Sequence, residues 1–288
     1  MIAKICWWCG GIADSSEHKI KRTDLIEVYG KGPFLDEEKL FYVVDEKSLP
    51  VQSAKSDFIK FKRSLCKECN NSRSSVFDKD YSCFISYIKS HYNEILNTQE
   101  VNFKTIFGEH WLSKKQNVIR YYLKHIGCQL SSDGISVPKE IKEFLNGSDK
   151  CDCLNYRFML REYNKVFSDL FKTDSSKFEQ LYIGNRRKFI ERDIFGTKKL
   201  IFVGWKTVHW FSIDYVIERG ITNKLYNKNP INSEIVKVEL LRLEDYPSML
   251  EVKDFHELIH RIEGFDRGTD ESGKIYHLNM IRNYKRIE

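Results

Sequence analysis

Cys6-Trp7-Trp8-Cys9 and Cys66-Lys67-Glu68-Cys69 each set two cysteines two residues apart; Glu17-His18 stands between the pairs, and the second pair runs directly into Asn70-Asn71-Ser72-Arg73. Thiolates spaced in this way reach one tetrahedral ion from a tight turn, so Cys6, Cys9, Cys66 and Cys69 together describe a closed structural Zn²⁺ site. The carboxylate of Glu17, the imidazole of His18 and the carboxamide of Asn70 are then left for other chemistry. Histidine titrates near neutrality and is suited to taking a proton from water. Successive residues on a strand point to opposite sides, so Glu17 and His18 can divide two tasks, one toward a cation and one toward the water. A hard, oxygen-preferring ion such as Mg²⁺ or Mn²⁺ would take the Glu17 carboxylate and the Asn70 amide oxygen. Such a set suits phosphodiester hydrolysis, in which the attacking water must lose a proton while charge is stabilised on the phosphate and on the departing oxygen.

Positioning these groups falls to short elements. Residues 1–70 read as strands and loops around the cysteine pairs, with a small helix near Asp24 to Tyr29 and strands near Lys39 to Asp45 and Asp57 to Leu65. Phe77, Tyr81, Phe84, Ile85, Ile88 and Ile95 recur at helical spacing, which predicts a helix beginning close to Asn70. A second helix is expected over Gln116 to Ile126, and Val137-Pro138 opens a third that stops near Gly147. Beyond residue 150, Leu181 to Gly184, Leu200 to Val203, Val208 to Tyr215 and Ile235 to Leu243 are rich in β-branched and aromatic residues and predict a sheet. The fold class expected is α+β. Pattern changes divide the chain at 1–97, 98–150, a helical connector, and 151–288, a C-terminal mixed α/β region built on an antiparallel sheet.

At Cys6-x-x-Cys9, Glu17-His18 and Cys66-x-x-Cys69-Asn70 the sequence resembles the HNH endonucleases, the ββα-metal nucleases in which a zinc-stapled strand pair and one helix form the active centre. The resemblance covers about the first third of the chain. It implies an HNH-like module over 1–97, with His18 as general base and Glu17 and Asn70 as ligands of a catalytic Mg²⁺ or Mn²⁺ beside the structural zinc. It also implies DNA as substrate, with RNA as the other possibility. Glu17 stands where the family more often has Asp, and no asparagine lies between His18 and Cys66 to brace the loop after the histidine. The 56 residues from Gly10 to Leu65 exceed what a compact zinc ribbon needs, which an insertion within the hairpin would explain.

Composition narrows the remaining choices. At 288 residues the chain can bury a substantial core; its 41% hydrophobic and 31% charged residues are those of an ordinary globular protein, with no apolar run near the about 20 residues that span a bilayer. No signal-peptide pattern precedes Cys6, so the expected address is cytoplasmic, where cysteines are thiols or metal ligands. Cys83, Cys128, Cys151 and Cys153 fit no two-residue ligand spacing and read as free thiols. The net charge of +6 is modest, and residues 1–100 balance at 15 basic against 15 acidic. Lys55, Lys60, Lys62, Arg63, Lys67 and Arg73 nonetheless gather around the second cysteine pair, and Arg186, Arg187, Lys188, Arg192, Lys198 and Lys199 form another basic stretch. Lys19, Lys62, Arg63 and Arg73 are the candidates for nucleic-acid contact.

Duller roles stand beside these: Asn70 as a helix cap, His18 as a brace, Trp7 and Trp8 as packing around the knuckle. Two other functions remain open. One is a non-catalytic, zinc-stabilised nucleic-acid-binding protein. The other is a zinc peptidase through His256-Glu257-Leu258-Ile259-His260, which satisfies the two-histidine pattern but carries Glu263 and Asp266 where the extended form needs glycine and a third histidine. A small nuclease module joined to an unfamiliar partner domain suggests prokaryotic or phage defence or mobile-element biology, with a homodimer or a partner subunit of a defence system.

Overall fold

The computed structural model describes residues 4–35, 40–44, 47–162, 182–184, 188–194, 197–208, 210–219, 230–242 and 277–282. In chain order the elements are α1 (Arg22–Tyr29), β1 (Leu40–Val44), β2 (Lys47–Val51), a 3₁₀ turn (Asp57–Ile59), a π-helical turn (Glu68–Arg73), α2 (Ser75–Ser90), α3 (Tyr92–Thr98), β3 (Glu100–Asn102), α4 (Phe103–Phe107), α5 (Trp111–Ser132), α6 (Lys139–Leu145), β4 (Leu154–Arg161), β5 (Tyr182–Gly184), β6 (Lys188–Ile194), β7 (Thr197–Val208), β8 (Phe211–Arg219), β9 (Ile235–Leu241) and β10 (His277–Arg282). The fold is α+β. None of the described helices is long and apolar enough to cross a membrane. The His256, Glu257, His260 motif lies outside the described residues, as do Arg186 and Arg187.

The chain packs as two units that interleave in sequence: 1–19 with 59–155 and 219–238, and 20–58 with 156–218 and 239–288. Residues 20–58, the excess length between the cysteine pairs, thus pack with the second unit. The consecutive ranges 1–97, 98–150 and 151–288 remain a division by sequence texture.

The first unit is built on α2 and α5. Phe77, Tyr81, Phe84, Ile85 and Ile88 of α2 are buried, as the helical spacing predicts. Tyr81 stacks on Tyr121 of α5 with ring centroids 3.7 Å apart, and Phe84 stacks on Phe103 at 5.4 Å. Asn102 caps α4, its Oδ1 accepting from Lys104 N at 2.8 Å and Thr105 N at 3.2 Å. The helix expected over Gln116 to Ile126 is longer, running from Trp111 to Ser132, and it buries polar residues as well as apolar ones. Among these, Arg120 donates to Phe144 O at 2.9 Å and Ser148 O at 3.3 Å, closing the carbonyls at the end of α6. Lys115 donates to Pro230 O at 3.0 Å and Ser233 O at 2.6 Å, clipping the segment that leads into β9 onto α5. β9 then pairs antiparallel with β3, Val101 opposite Val236.

The second unit is mostly sheet. β1 is flanked by β2 and β10, with β5 outside β10; Pro50 sits in β2, an edge strand, where proline is tolerated. A second run of strands follows the order β4-β8-β7-β6, and β6 and β7 form a hairpin from Lys188↔Val203 to Ile194↔Thr197. Strands β4, β8 and β9 share a partly exposed charged network. Arg157 reaches Glu239 at 2.7 Å and Asp214 at 3.5 Å, and Arg161 donates to Ser212 Oγ at 3.2 Å. Burial pushes the Asp214 carboxyl above its ordinary value against the pull of these arginines.

One sequence expectation needs correction. Asp57 to Leu65 is not a continuous strand: it opens with the 3₁₀ turn, then touches the Glu17 segment only at the isolated bridges His18↔Lys60 and Ser15↔Leu65. The helix expected close to Asn70 opens at Glu68, within the second cysteine pair, as a π-helical turn that precedes α2.

Candidate metal centre and hairpin site

The four-cysteine knuckle forms because its turns are local. Gly10 adopts φ +82°, a left-handed conformation that favours glycine, and lets Gly10 N donate to Cys6 O at 2.9 Å while Cys6 N donates to Gly11 O at 2.6 Å. At the second pair, Asn70 N donates to Cys66 O at 2.9 Å as the π-helical turn starts. Trp7 N donates to Ser64 O at 3.0 Å and Lys67 N to Asp14 Oδ1 at 2.8 Å, so the two turns face each other. The four Sγ atoms of Cys6, Cys9, Cys66 and Cys69 lie within 4.8 Å of one another, the one such group of metal-ligating side chains among the described residues. Cys9 Sγ and Cys66 Sγ are 3.6 Å apart. Bonds of about 2.3 Å in a tetrahedron require sulfurs about 3.8 Å apart, so this donor set fits zinc.

The thiols differ in their environments. Burial raises the pKa of Cys6 and Cys69, whereas the Gly11 N–H aimed at Cys9 lowers its exposed thiol to about 7. Further N–H donors point at the sulfurs: Gly11 N to Cys9 at 3.5 Å, Cys69 N to Cys66 at 3.4 Å and Arg73 Nη1 to Cys69 at 3.6 Å. Such donors offset the negative charge of a four-thiolate zinc centre and orient its ligands.

Arg73 has further partners. Its guanidinium lies 4.6 Å from the Trp8 ring centroid and Nη2 donates to Asn146 Oδ1 at 2.6 Å, the same oxygen that accepts from Trp8 Nε1 at 2.8 Å. Trp8 stacks on Phe77, and both Trp7 and Trp8 are buried, in line with a packing role. Lys62 and Arg63 are exposed, whereas Lys19 is half-buried: desolvation lowers its pKa to about 8 and Asp133 acts in the opposite direction.

From the knuckle the chain runs through Ser15 to Lys19, antiparallel to Ile59 to Leu65. Ser15 N donates to Leu65 O at 2.9 Å, Phe61 N to Glu17 O at 2.8 Å and Lys19 N to Ile59 O at 2.8 Å. Asn70 comes from the other side. Its amide Nδ2 donates to Ser15 Oγ at 2.9 Å and Ser16 O at 3.4 Å, holding the helix start against the strand just before Glu17-His18. Asn70 is therefore not a helix cap. Its Oδ1 is buried with no hydrogen-bond partner, which leaves one hard oxygen donor to be satisfied at this spot. His18 is half-buried, with Nε2 shielded from solvent.

Glu17 is differently placed. Its carboxylate is 12% exposed, with Oε2 at 2.9 Å from Lys124 Nζ and Oε1 at 3.4 Å from His125 Nε2. Lys124 is 1% exposed and also donates to Ser74 Oγ at 3.1 Å and Asp78 Oδ2 at 3.4 Å. Burial alone would lower the Lys124 pKa, but Glu17 and Asp78 outweigh it and the ammonium is held charged. The sequence offered no sign of Lys124 or His125, which lie more than a hundred residues beyond Glu17. The remaining cysteines are all free thiols, with Cys151 Sγ and Cys153 Sγ 3.7 Å apart in the interior.

No family model matches the chain, and no curated protein or solved structure is significantly similar to it. What sequence and structure define together is the coarser class: an α+β protein with a four-thiol cluster able to bind zinc, next to two chain segments joined by isolated antiparallel bridges.

Proposed function

We propose that this protein is a metal-dependent endonuclease of the HNH type that hydrolyses phosphodiester bonds in DNA. The observation that carries the reading is Asn70. Its amide reaches across to Ser15 and Ser16, and its buried oxygen is left without a partner beside the strand that bears His18. His18 takes the proton of the attacking water, and His18 and Asn70 are held on two segments whose spacing the thiolate centre sets. Of the two oxygen donors expected for a divalent cation, Asn70 Oδ1 fits; the Glu17 carboxylate is already neutralised by Lys124. When bound, Mg²⁺ or Mn²⁺ would supply stabilisation of the phosphate and of the leaving 3′-oxygen. Exposed Lys62 and Arg63 offer charge for the nucleic-acid backbone.

A second reading rests on one specific observation. Because the Glu17 carboxylate is paired with the buried ammonium of Lys124, the scaffold also suits a zinc-stabilised nucleic-acid-binding protein without catalysis. Incubating labelled DNA and RNA oligonucleotides with zinc-loaded protein and Mg²⁺, Mn²⁺ or EDTA separates the two. The nuclease reading expects cation-dependent cleavage, abolished by EDTA, with 5′-phosphate and 3′-hydroxyl ends. Binding without cleavage under every cation would favour the second.

A further inference from the structure

We propose that Glu17 serves this site as the buried counter-ion of Lys124 rather than as an inner ligand of the catalytic cation, and that Lys124 is the positioning residue that fixes the His18 strand against the Asn70 turn. This rests on the nuclease reading above. A lysine ammonium has three N–H bonds, and Lys124 has three acceptors: Glu17 Oε2 at 2.9 Å, Ser74 Oγ at 3.1 Å and Asp78 Oδ2 at 3.4 Å. They come from two segments that must be held in register, the strand before the catalytic histidine and the start of α2. Lys124 itself comes from a third, α5.

The link continues to Asn70. Ser74 Oγ donates to Asn70 O at 2.7 Å, so the hydroxyl that accepts from Lys124 also ties down the backbone of the residue offering the orphaned amide oxygen. From the strand side, Phe61 N donates to Glu17 O, which fixes the backbone next to His18 while the Glu17 side chain reaches Lys124. One buried cation thus joins the residues adjoining His18 to those adjoining Asn70. The second Glu17 oxygen lies 3.4 Å from His125 Nε2. A divalent ion at bonding distance of this carboxylate, about 2.0–2.2 Å, would stand against an ammonium that is 1% exposed. Asn70 Oδ1 carries no such competitor.

Removing one member of a buried ion pair leaves an uncompensated charge, whereas removing both leaves none. The test is a cycle of Glu17→Gln, Lys124→Met and the double variant, each zinc-loaded, followed by melting temperature, Mg²⁺-dependent cleavage rate and the Mg²⁺ concentration at half-maximal rate. Each single variant is expected to melt about 5–10 °C lower and to cleave at least about tenfold more slowly. The double variant is expected to recover at least half of the lost melting temperature and about tenfold in rate over the worse single variant, with a half-saturating Mg²⁺ within about threefold of wild type. Asn70→Ala, by contrast, raises that concentration more than tenfold. The proposal is overturned if the double variant melts like wild type yet remains as slow as Glu17→Gln, or needs tenfold more Mg²⁺, since Glu17 is then a ligand. Melting temperatures that simply add across the cycle overturn the positioning role. Wild type that cleaves nothing with any cation overturns the nuclease reading and this role with it; the melting cycle then still reads the ion pair alone.

Discussion

Gly127→Ala puts two opposing effects on one atom. In a helix interior alanine is favoured over glycine by about 1 kcal/mol, so a solvent-facing Gly127 would gain stability from the change. In α5, however, a Cβ at this position would lie 2.4 Å from Trp7 Cη2, 2.5 Å from Cζ2 and 3.0 Å from Cε2. Carbon atoms settle about 3.5–4.0 Å apart, so the ring would have to retreat by more than about 1 Å. It has little room to do so. Trp7 is buried, stacks against Trp8, lies between Cys6 and Cys9, and its backbone is tied to Ser64. Overpacking of this kind costs about 1–3 kcal/mol, and a rigid ring on a stapled turn belongs at the upper end. Subtracting the helix term leaves a net loss of about 1–2 kcal/mol, or a fall of about 2–6 °C in the melting temperature. Thermal and urea unfolding followed by tryptophan fluorescence, at fixed zinc occupancy, measures it. Adding Trp7→Leu should remove the clash, so that Gly127→Ala in that background becomes neutral or favourable. A Gly127→Ala protein that melts at or above the wild-type temperature would refute the close packing of the knuckle on α5.

Zinc should bind at one ion per chain, and its removal by a strong chelator should abolish hydrogen-exchange protection at the Trp7, Gly10 and Asn70 amides, measured by mass spectrometry; protection that persists without metal would contradict a stapling role. Because burial raises the Cys6 and Cys69 thiols, zinc must expel their protons, so affinity should climb by at least about tenfold per pH unit near neutrality in a chelator competition. Lys115, fully buried, has its pKa lowered by burial to about 7 from 10.5. The unfolded chain therefore binds the extra proton between these values, and the stability gained from a neutral amine is complete above 10.5 and lost as pH falls through about 7. Urea midpoints of wild type should rise relative to Lys115→Met between about pH 7 and about pH 9, and parallel profiles for the two would contradict it.

The metal centre was legible because its signal is local: two residues between cysteines dictate two turns, and only the facing of the turns had to come from the fold. The apolar spacing of Phe77, Tyr81, Phe84, Ile85 and Ile88 likewise marked the buried face of α2. Lys124 was not legible. In a helix read by its apolar stripe, a lysine counts as solvent-facing. Only the tertiary arrangement reveals that three acceptors, 46 and more positions away, converge on it. β4 escaped for a related reason: Leu154 to Arg161 does not alternate, since Asn155 and Arg161 are buried along with the apolar residues and Arg161 finds Ser212 and Asp214. In the sequence β6 shows only as a basic stretch, because Lys188 and Arg192 dominate its composition; its pairing with β7 is a property of the partner strand. Of the long interval between the cysteine pairs, residues 20–58 pack with the second unit.

We propose that His18 activates water on a scaffold held by four thiolates. Conversion of supercoiled plasmid to nicked or linear DNA in Mg²⁺, compared between wild type and His18→Ala at equal zinc content and equal melting temperature, tests it most directly. Wild type is expected to cleave and the variant to lose about 10²–10⁴-fold in rate, the usual worth of a positioned base. Equal rates from the two proteins would contradict it.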